Sequence, residues 1–317
     1  MPTELSIIIV NWNGSEFLRR CIESIAKAPP QVSYDIIVVD NASTDDSVRW
    51  LRSDEAKMCL GKARLHVLEN AENLGFSRAN NQGIEHSKAL FLFLLNSDTE
   101  VRPGAIDALI ATLKSDERAG MCGPRLVNPD DSLQPSVYRN PPAAWEILLS
   151  GSRLYRLLPA GVRGELLLGG HWDHARRRRV PRLSGAAMMV KREVIDSVGG
   201  LDERFHMYGE DVEWCLRIAR TGWLLIFEPD AIVMHHGSQS SRKRWDNLET
   251  ERRIIDGQLR FQRYCLSRWR LISNLLASSA VASTAHTWRS IRGRSTDKTG
   301  MALGLYAKHL KEALWRK

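Results

Sequence analysis

The sequence predicts an α/β fold, a mostly parallel sheet flanked by helices, followed by a basic helical extension. Three observations carry this. Short apolar runs without polar alternation recur through the first half, as strands buried on both faces require. Segments of helical periodicity separate them, the pattern of βαβ units. The charge is also divided: residues 1–240 carry a net −3 and residues 241–317 a net +11, so the overall +8 belongs to the tail. At 317 residues, 43% hydrophobic and 26% charged, the chain has the size of one large domain (1–240) plus an appendage (241–317). That composition excludes disordered and fibrous classes.

Ser6–Val10 is a continuous β-branched run and reads as the first buried strand. Glu16–Ala28 places Phe17, Leu18, Cys21, Ile22 and Ile25 at helical spacing. Asp35–Asp40 is a second strand, and Ser47–Leu51 a short helix with Ser43 or Thr44 as its N-cap. Arg64–Glu69 is a third strand, Ser77–Ser87 a helix, and Leu90–Leu95 a fourth strand that stops at Asn96-Ser97-Asp98. Pro103–Ser115 reads as a helix with Pro103 near its first turn. The segment Pro124–Val180 is rich in Pro and Gly and reads as loop; its four consecutive arginines, Arg176–Arg179, suit a solvated loop or a lid over an anion. Order returns at Leu183–Val190, followed by helices from Arg192 and over Asp211–Arg220. Strands are expected at Leu224–Phe227 and at Ala231–Met234, the latter ending in His235-His236.

Ligands of parallel α/β sheets bind beyond the carboxyl ends of the strands. Asn11 and Asn13, Asp40-Asn41 and Asn96-Ser97-Asp98 all fall there. Asp40 suits a base or ribose, since other residues after it are able to cap the next helix. Asp98 suits a divalent cation such as Mg²⁺ or Mn²⁺, which takes oxygen ligands and is shared with diphosphates. In Gly209-Glu210-Asp211-Val212-Glu213 three carboxylates crowd four positions, either as the acidic first turn of a helix or as a general base set at its start. Of His235 and His236, adjacent on a strand, only one readily faces a site. No G-x-G-x-x-G follows the first strand, which argues against a dinucleotide-dependent dehydrogenase, and the Lys-containing phosphate loop of a nucleotidyltransferase is missing from Val10–Gly14.

Taken in order, these motifs resemble the family 2 glycosyltransferases of GT-A fold, especially their bacterial rhamnosyltransferase-like branch. The resemblance covers roughly residues 5–240. It is carried by Ser6–Gly14, Val38–Asp45, Asn73–Asn81, Leu95–Thr99, Ser184-Gly185-Ala186 and Gly200–Phe205 leading into Glu210–Glu213. It implies a Rossmann-like mixed sheet, with residues 1–123 as the nucleotide-binding half and 124–240 as the acceptor-side half. Asn11, Asn13, Asp40, Asn41, Asn73, Gly75, Asn80, Asn96 and Ser97 would serve the nucleotide-sugar donor, and Asp98 with His235 the metal. Asp211 would be the catalytic base, with Glu210 and Gly185 on the acceptor side. Asn96 stands where the family's metal motif begins with Asp, and reads as a mark of the subgroup. The implied reaction is an inverting, metal-dependent transfer of a deoxyhexose, such as rhamnose from dTDP-rhamnose, to a lipid-linked or polymeric glycan. The rival reading is a non-catalytic sugar-nucleotide-binding scaffold in a polysaccharide assembly complex.

The five cysteines show no paired spacing and fit a reducing compartment, and no secretory signal opens the chain. A cytoplasmic protein at the inner face of the membrane is the expected setting. In the tail, Leu271–Trp288 is too diluted by polar residues to cross a bilayer. Leu303, Tyr306, Ala307, Leu310 and Leu314 form a helical stripe among Lys308, Lys311 and Lys317, which suits either interfacial membrane contact or packing on a neighbour. Nucleic acid is not an expected partner, since no recognised motif accompanies the charge. The oligomeric state stays open, a homodimer included.

Overall fold

A computed structural model describes residues 3–61, 63–139, 141–205, 208–237 and 246–315. The chain forms two compact units: Met1–Tyr138 with His174–Ser240, and Arg139–Asp173 with Ser241–Lys317. The first unit begins with β1 (Leu5–Asn11), α1 (Ser15–Lys27), β2 (Tyr34–Asp40), α2 (Ser47–Leu51), α3 (Asp54–Leu60), β3 (Arg64–Glu69) and α4 (Phe76–His86). It continues with β4 (Phe91–Asn96), β5 (Thr99–Val101), α5 (Ala105–Ser115), β6 (Ala119–Val127) and β7 (Leu133–Gln134). The second unit then contributes α6 (Ala144–Ser152) and α7 (Ala160–Leu167). The first resumes with β8 (Arg178–Arg179), β9 (Ala187–Lys191), α8 (Arg192–Val198), α9 (Glu210–Arg220) and β10 (Leu224–His235). The chain closes on α10 (Asn247–Cys265), α11 (Arg268–Ile291) and α12 (Asp297–Leu314) of the second unit.

Among the described residues ten strands make one sheet in the order β3-β2-β1-β4-β9-β6-β10-β5, with β7 on β6 and β8 on β10. β3, β2, β1 and β4 are parallel, and β6 is parallel to β10. β9 is antiparallel to both β4 and β6, so β4, β6 and β10 all run in one sense. The register pairs Asn11 with Asp40 and Val10 with Asn96, which sets the polar strand ends level. β1 shows how the faces divide. Leu5, Ile7 and Ile9 join Leu18, Ile22 and Ile25 of α1 in the main core. Ile8 faces the other side, where α4 rests so closely that a Cβ on Gly83 would lie 2.5 Å from Ile8 Cγ2.

Several expectations are corrected. β6 runs on through Pro124 to Val127, where a loop was expected. The partner strand accommodates the missing N–H by shifting register between Glu228 and Ile232, opposite Pro124-Arg125. The two late strands are therefore one strand, β10, with a bulge. Helix α5 starts at Ala105 behind Gly104, whose φ of 78° is left-handed, so Pro103 lies outside it. The loop-rich segment holds α6 and α7, and Arg139–Asp173 falls with the C-terminal helices, not with the sheet. Within that unit a Cβ on Gly151 would lie 2.3 Å from Val281 Cγ2, and Asn274 Nδ2 donates to Pro142 O at 2.8 Å, so α6 is seated on α11. On α12 the buried positions are Ala302, Leu305, His309 and Ala313, one residue off the expected stripe; Tyr306 and Leu310 pack at its margin and Leu314 is exposed. Lys317 lies outside the described residues.

The arginine run is exposed at Arg176, Arg177 and Arg179, as a solvated segment would be, but its last two residues form β8 and it does not lie at the carboxyl ends of the strands. Arg178 and Arg179 pair with Phe227 and Ile226 near the start of β10, at the edge opposite His235. Arg177 Nε lies 2.5 Å from Oε2 of Glu228, a fully buried carboxylate that also accepts from Thr112 Oγ1 at 2.6 Å. Glu228 is buried but the Arg177 side chain is half exposed, so solvent screens part of the pair. Arg177→Met is expected to lower unfolding stability by about 1 kcal/mol, read from the urea midpoint, and Arg177→Met with Glu228→Gln to restore most of it.

Candidate active site

The carboxyl ends of β1 and β2 are laced together by side chains. Asn11 Nδ2 donates to Asp40 Oδ1 at 3.0 Å and to Ser43 Oγ at 3.2 Å, and Asp40 Oδ2 accepts from Ser43 N at 2.8 Å. Asn13, with a left-handed φ of 50° that Asn tolerates, accepts from Thr44 N at 2.7 Å, and its own N–H donates to Ser43 Oγ at 2.9 Å. Ser43 and Thr44 therefore tie two loops together instead of capping α2, and Asp45 accepts from Ser47 N. Nor is Asp40 released from structural duty: both its oxygens brace this turn.

Asn41 organises the next loop. Its Oδ1 accepts from Asn70 Nδ2 and Leu74 N, and its Nδ2 donates to Asn73 Oδ1 and Gly75 O, all within 3.0–3.2 Å. Gly75, at φ 87°, then starts α4. Asn80 is buried inside that helix and donates to Phe76 O. Buried Ser97 lies beside Gly14, where a Cβ would stand 3.6 Å from Ser97 Oγ and 2.8 Å from Asn11 Oδ1.

Across the same edge, β10 brings His235 to Asp98, with Nε2 3.3 Å from Oδ1. Gln134 fixes the ring. Its Nε2 donates to His235 O at 3.1 Å and to Asn128 Oδ1 at 2.9 Å, which turns Oε1 toward His235 Nδ1 at 2.7 Å. Nδ1 must then carry the proton of the neutral ring, and Nε2 presents a lone pair to a carboxylate. In that tautomer two electron-rich atoms face each other, while a second ring proton would make the contact an ion pair; Nε2 has no hydrogen-bond partner among the described residues. An oxygen-plus-imidazole pair of this kind fits Mn²⁺ or Mg²⁺ with the remaining positions open to other ligands. Among the described residues no group of three or more His, Cys, Asp or Glu gathers as a metal site, so a cation here would need ligands from elsewhere. His236 faces the other way, to Glu100 Oε1 at 2.8 Å.

Asp211 sits in the first turn of α9. Its Oδ2 accepts from Arg182 Nη2 at 2.8 Å and Gly185 N at 3.2 Å, and its Oδ1 from Val212 N at 2.8 Å. A Cβ on Gly185 would lie 3.2 Å from Asp211 Cβ, so a larger residue there would press Asp211 aside by a few tenths of an ångström. Burial would lower the pKa of Arg182, but the Asp211 carboxylate outweighs it and the net shift is upward. The next peptide joins this carboxylate to the metal motif: Ala186 O accepts from Asn96 N at 2.9 Å. Asp211, Gly185, Asn96 and Asp98 thus belong to one contiguous edge. Glu210 is buried, its Oε2 without a partner among the described residues; burial, then the charge on Asp211, pushes its pKa up to about 8. Asn11 Oδ1 and Asn96 Oδ1 are two more buried acceptors without a described partner. Acceptors of this kind are open to a donor from water or from a ligand.

Sequence reasoning missed two residues. Arg182 stands three residues before Gly185, stacked with its guanidinium 5.6 Å from the Tyr138 ring, and Gln134 lay in a segment read as loop. Neither belongs to a local motif. The charge imbalance of Glu210-Asp211-Glu213 was the one signal that a nearby cation was needed; Arg217 meets Glu213 and Arg182 meets Asp211.

The mixed, mostly parallel sheet with acidic, amide and imidazole side chains gathered at one edge has the GT-A fold. Solved structures of that fold match along the chain. One is GalNAc-T7 with UDP, GalNAc and Mn²⁺, at TM-score 0.60 and 17% identity, covering 99% of this chain and 56% of that one. Another is the mannosyltransferase PcManGT of Pyrobaculum calidifontis in complex with GDP-Man and Mn²⁺, at TM-score 0.58 and 16% identity, covering 99% and 88%. The family model described as Glycosyl transferase family 2 matches residues 6–199, and that of Glycosyl transferase family group 2 matches residues 165–307. The N-acetylglucosaminyl-diphospho-decaprenol L-rhamnosyltransferase of Mycobacterium tuberculosis is 30% identical over 267 residues, 76% of this chain and 78% of its own length. The low-salt glycan biosynthesis hexosyltransferase Agl10 of Haloferax volcanii is 27% identical over 224 residues, 69% and 63%. The chain belongs to glycosyltransferase family 2, in its rhamnosyltransferase-like branch, and is a glycosyltransferase.

The raised pKa of Glu210 has a measurable consequence. Between 4.5 and about 8 the folded chain keeps a proton that the unfolded chain has lost, so ionisation favours unfolding. This contribution is fully present below 4.5 and is lost as pH rises through about 8. Glu210→Gln removes it, so the melting temperature of the native chain should fall relative to the variant across that window. A constant difference would count against the buried, protonated carboxyl.

Proposed function

We propose that the protein transfers a deoxyhexose, with dTDP-rhamnose as the donor, to a hydroxyl of a lipid-linked or polymeric cell-surface glycan, at the inner face of the cell membrane. The observation that carries this is the edge where Asp98 and His235 face each other, within one hydrogen-bonded strand network of the carboxylate Asp211. The relative from M. tuberculosis, whose name gives a rhamnosyl transfer to a diphospho-decaprenol-linked sugar, supports the donor and acceptor class. Asn11, Asn13, Asp40, Asn73, Asn96 and Ser97 form the donor side, their polar groups suited to base, ribose and phosphate, with Asn41, Gly75 and Asn80 fixing the loop and helix behind them.

Asp98 and His235 hold the divalent cation, whose chemistry when bound is Lewis-acid stabilisation of the leaving diphosphate. Gln134 keeps His235 in the tautomer whose Nε2 can ligate. Asp211 is the base. Arg182 and Gly185 occupy Oδ2 and Val212 one site on Oδ1, so the acceptor hydroxyl delivers its proton to the remaining site on Oδ1. Direct attack assisted by that one carboxylate inverts the anomeric centre. Glu210 and Gly185 shape the acceptor side, with Glu210 able to donate a hydrogen bond while protonated.

Asp211→Asn is expected to lower kcat by about a hundredfold to ten-thousandfold while donor binding, read by calorimetry, survives; native-like turnover would remove Asp211 from the base role. Chelation with EDTA should abolish activity and Mn²⁺ or Mg²⁺ restore it. Gln134→Leu should raise the cation concentration for half-activity about tenfold. A thermal-shift screen of nucleotide sugars with Mn²⁺ tests the donor, since binding to the native state raises the melting temperature.

A further inference from the structure

We infer that the outer face of α11, with the exposed apolar side chains of its own unit, is a docking surface for an anionic lipid bilayer. The surface deepens the lipid-linked acceptor reading and rests on it for its purpose.

The sequence from Gly257 to Thr296 holds seven arginines and no Asp or Glu. Helix α11 lies within it, about 36 Å long. Its positions 269, 273, 276, 280, 284, 287 and 291 recur at spacings of three and four and are all exposed, so they share one face. That face carries Trp269 (76% exposed), Leu276 and Ile291 (80% exposed), separated by small uncharged residues. The opposite face is already used: Leu271, Ile272 and Leu275 are buried with Leu259 and Leu305. The exposed stripe is therefore not an unfinished half of the unit's own core.

Charge frames the stripe. Arg268 and Arg270 stand at one end and Arg289, Arg292 and Arg294 at the other, and none has an acidic partner among the described residues. Arg292 lies 4.3 Å over the ring of Trp288, and Arg268 5.9 Å from that of Trp269. Aromatic rings beside arginines, with an uncharged stretch between, suit the boundary between lipid head groups and acyl chains. Elsewhere in the same unit Trp145, Leu148, Leu154, Leu157 and Val162 are exposed, and among the described residues thirteen of the sixteen exposed large hydrophobics belong to this unit. Among the described residues no helix is long and apolar enough to cross a membrane, so the contact is one that lies on the bilayer. A second copy of the chain fits this face poorly, because a twofold contact would set arginines against arginines with no acid to offset them.

The test is co-sedimentation of the full chain with vesicles of phosphatidylcholine alone and of phosphatidylcholine with phosphatidylglycerol. Binding should require the anionic lipid and weaken with added salt. Arg268→Gln with Arg292→Gln should reduce partitioning about fivefold for each charge removed, and Trp269→Ser with Ile291→Ser about tenfold or more. All four side chains are exposed, and an unchanged melting temperature establishes that the variants are folded. Equal binding by the variants, binding indifferent to the anionic lipid, or no binding overturns the assignment. So does a dimer in sedimentation equilibrium that Trp269→Ser with Ile291→Ser dissociates. Donor-induced thermal stabilisation, measured on the same protein, separates the two readings: donor binding without vesicle binding removes the surface alone, and vesicle binding without donor binding removes the donor reading and leaves the surface standing.

Discussion

A carboxylate oxygen and an imidazole lone pair oppose each other at 3.3 Å between Asp98 and His235, and much of the first unit serves to hold them there. They come from stretches more than a hundred residues apart. The distance is set by backbone: β10 pairs antiparallel with β5 so that His235 lies across from Thr99, and His236 N donates to Asp98 O at 2.9 Å. The bulge opposite Pro124 adjusts the late part of β10 before it reaches that pairing. Gln134 then removes the ring's freedom to turn its proton toward Asp98. A buried imidazole and carboxylate this close are held together by a positive charge, either a second proton on the ring or a cation between them.

The acidic pair at the start of α9 shows a second division of labour. Two neighbouring carboxyls cannot both be cheaply ionised in a buried site. Arg182 and two backbone N–H groups fall to Asp211, while Glu210, with backbone hydrogen bonds too weak to offset its burial and the charge on Asp211, keeps its proton to about 8. Environment thus gives two neighbouring carboxyls different partners and keeps the proton on Glu210.

The strands, the helices between them and the polar cluster at their ends were legible because each depends on residues close in sequence: Ser6–Val10 and Asp35–Asp40 are apolar without interruption, and the asparagines follow directly. What escaped was non-local. Nothing near Pro124 signals that a strand passes through it, since the partner strand's bulge makes it possible. Arg182 and Gln134 acquire meaning only from residues 29 and 101 positions away. The arginine run was half legible for the same reason: its first two residues are exposed loop, while Arg178 and Arg179 pair with a distant strand and Arg177 reaches the buried Glu228 on it. The stripe on α12 was displaced by one residue because Ala302, Ala313 and His309 fill the interior against α10 and α11, a packing that hydropathy alone ranks below leucine.

The path of the chain through its two units carries a further consequence. Residues Arg139–Asp173 leave the sheet between β7 and β8, and α6 finds its support on α11, where Gly151 abuts Val281 with no room for a methyl group. The C-terminal helices are therefore not an appendix to be trimmed. A chain ending at the last strand would retain α6 with its supporting helix gone, and would present to solvent a surface shaped to receive another helix, so the catalytic sheet inherits a solubility problem from a deletion made far along the polypeptide.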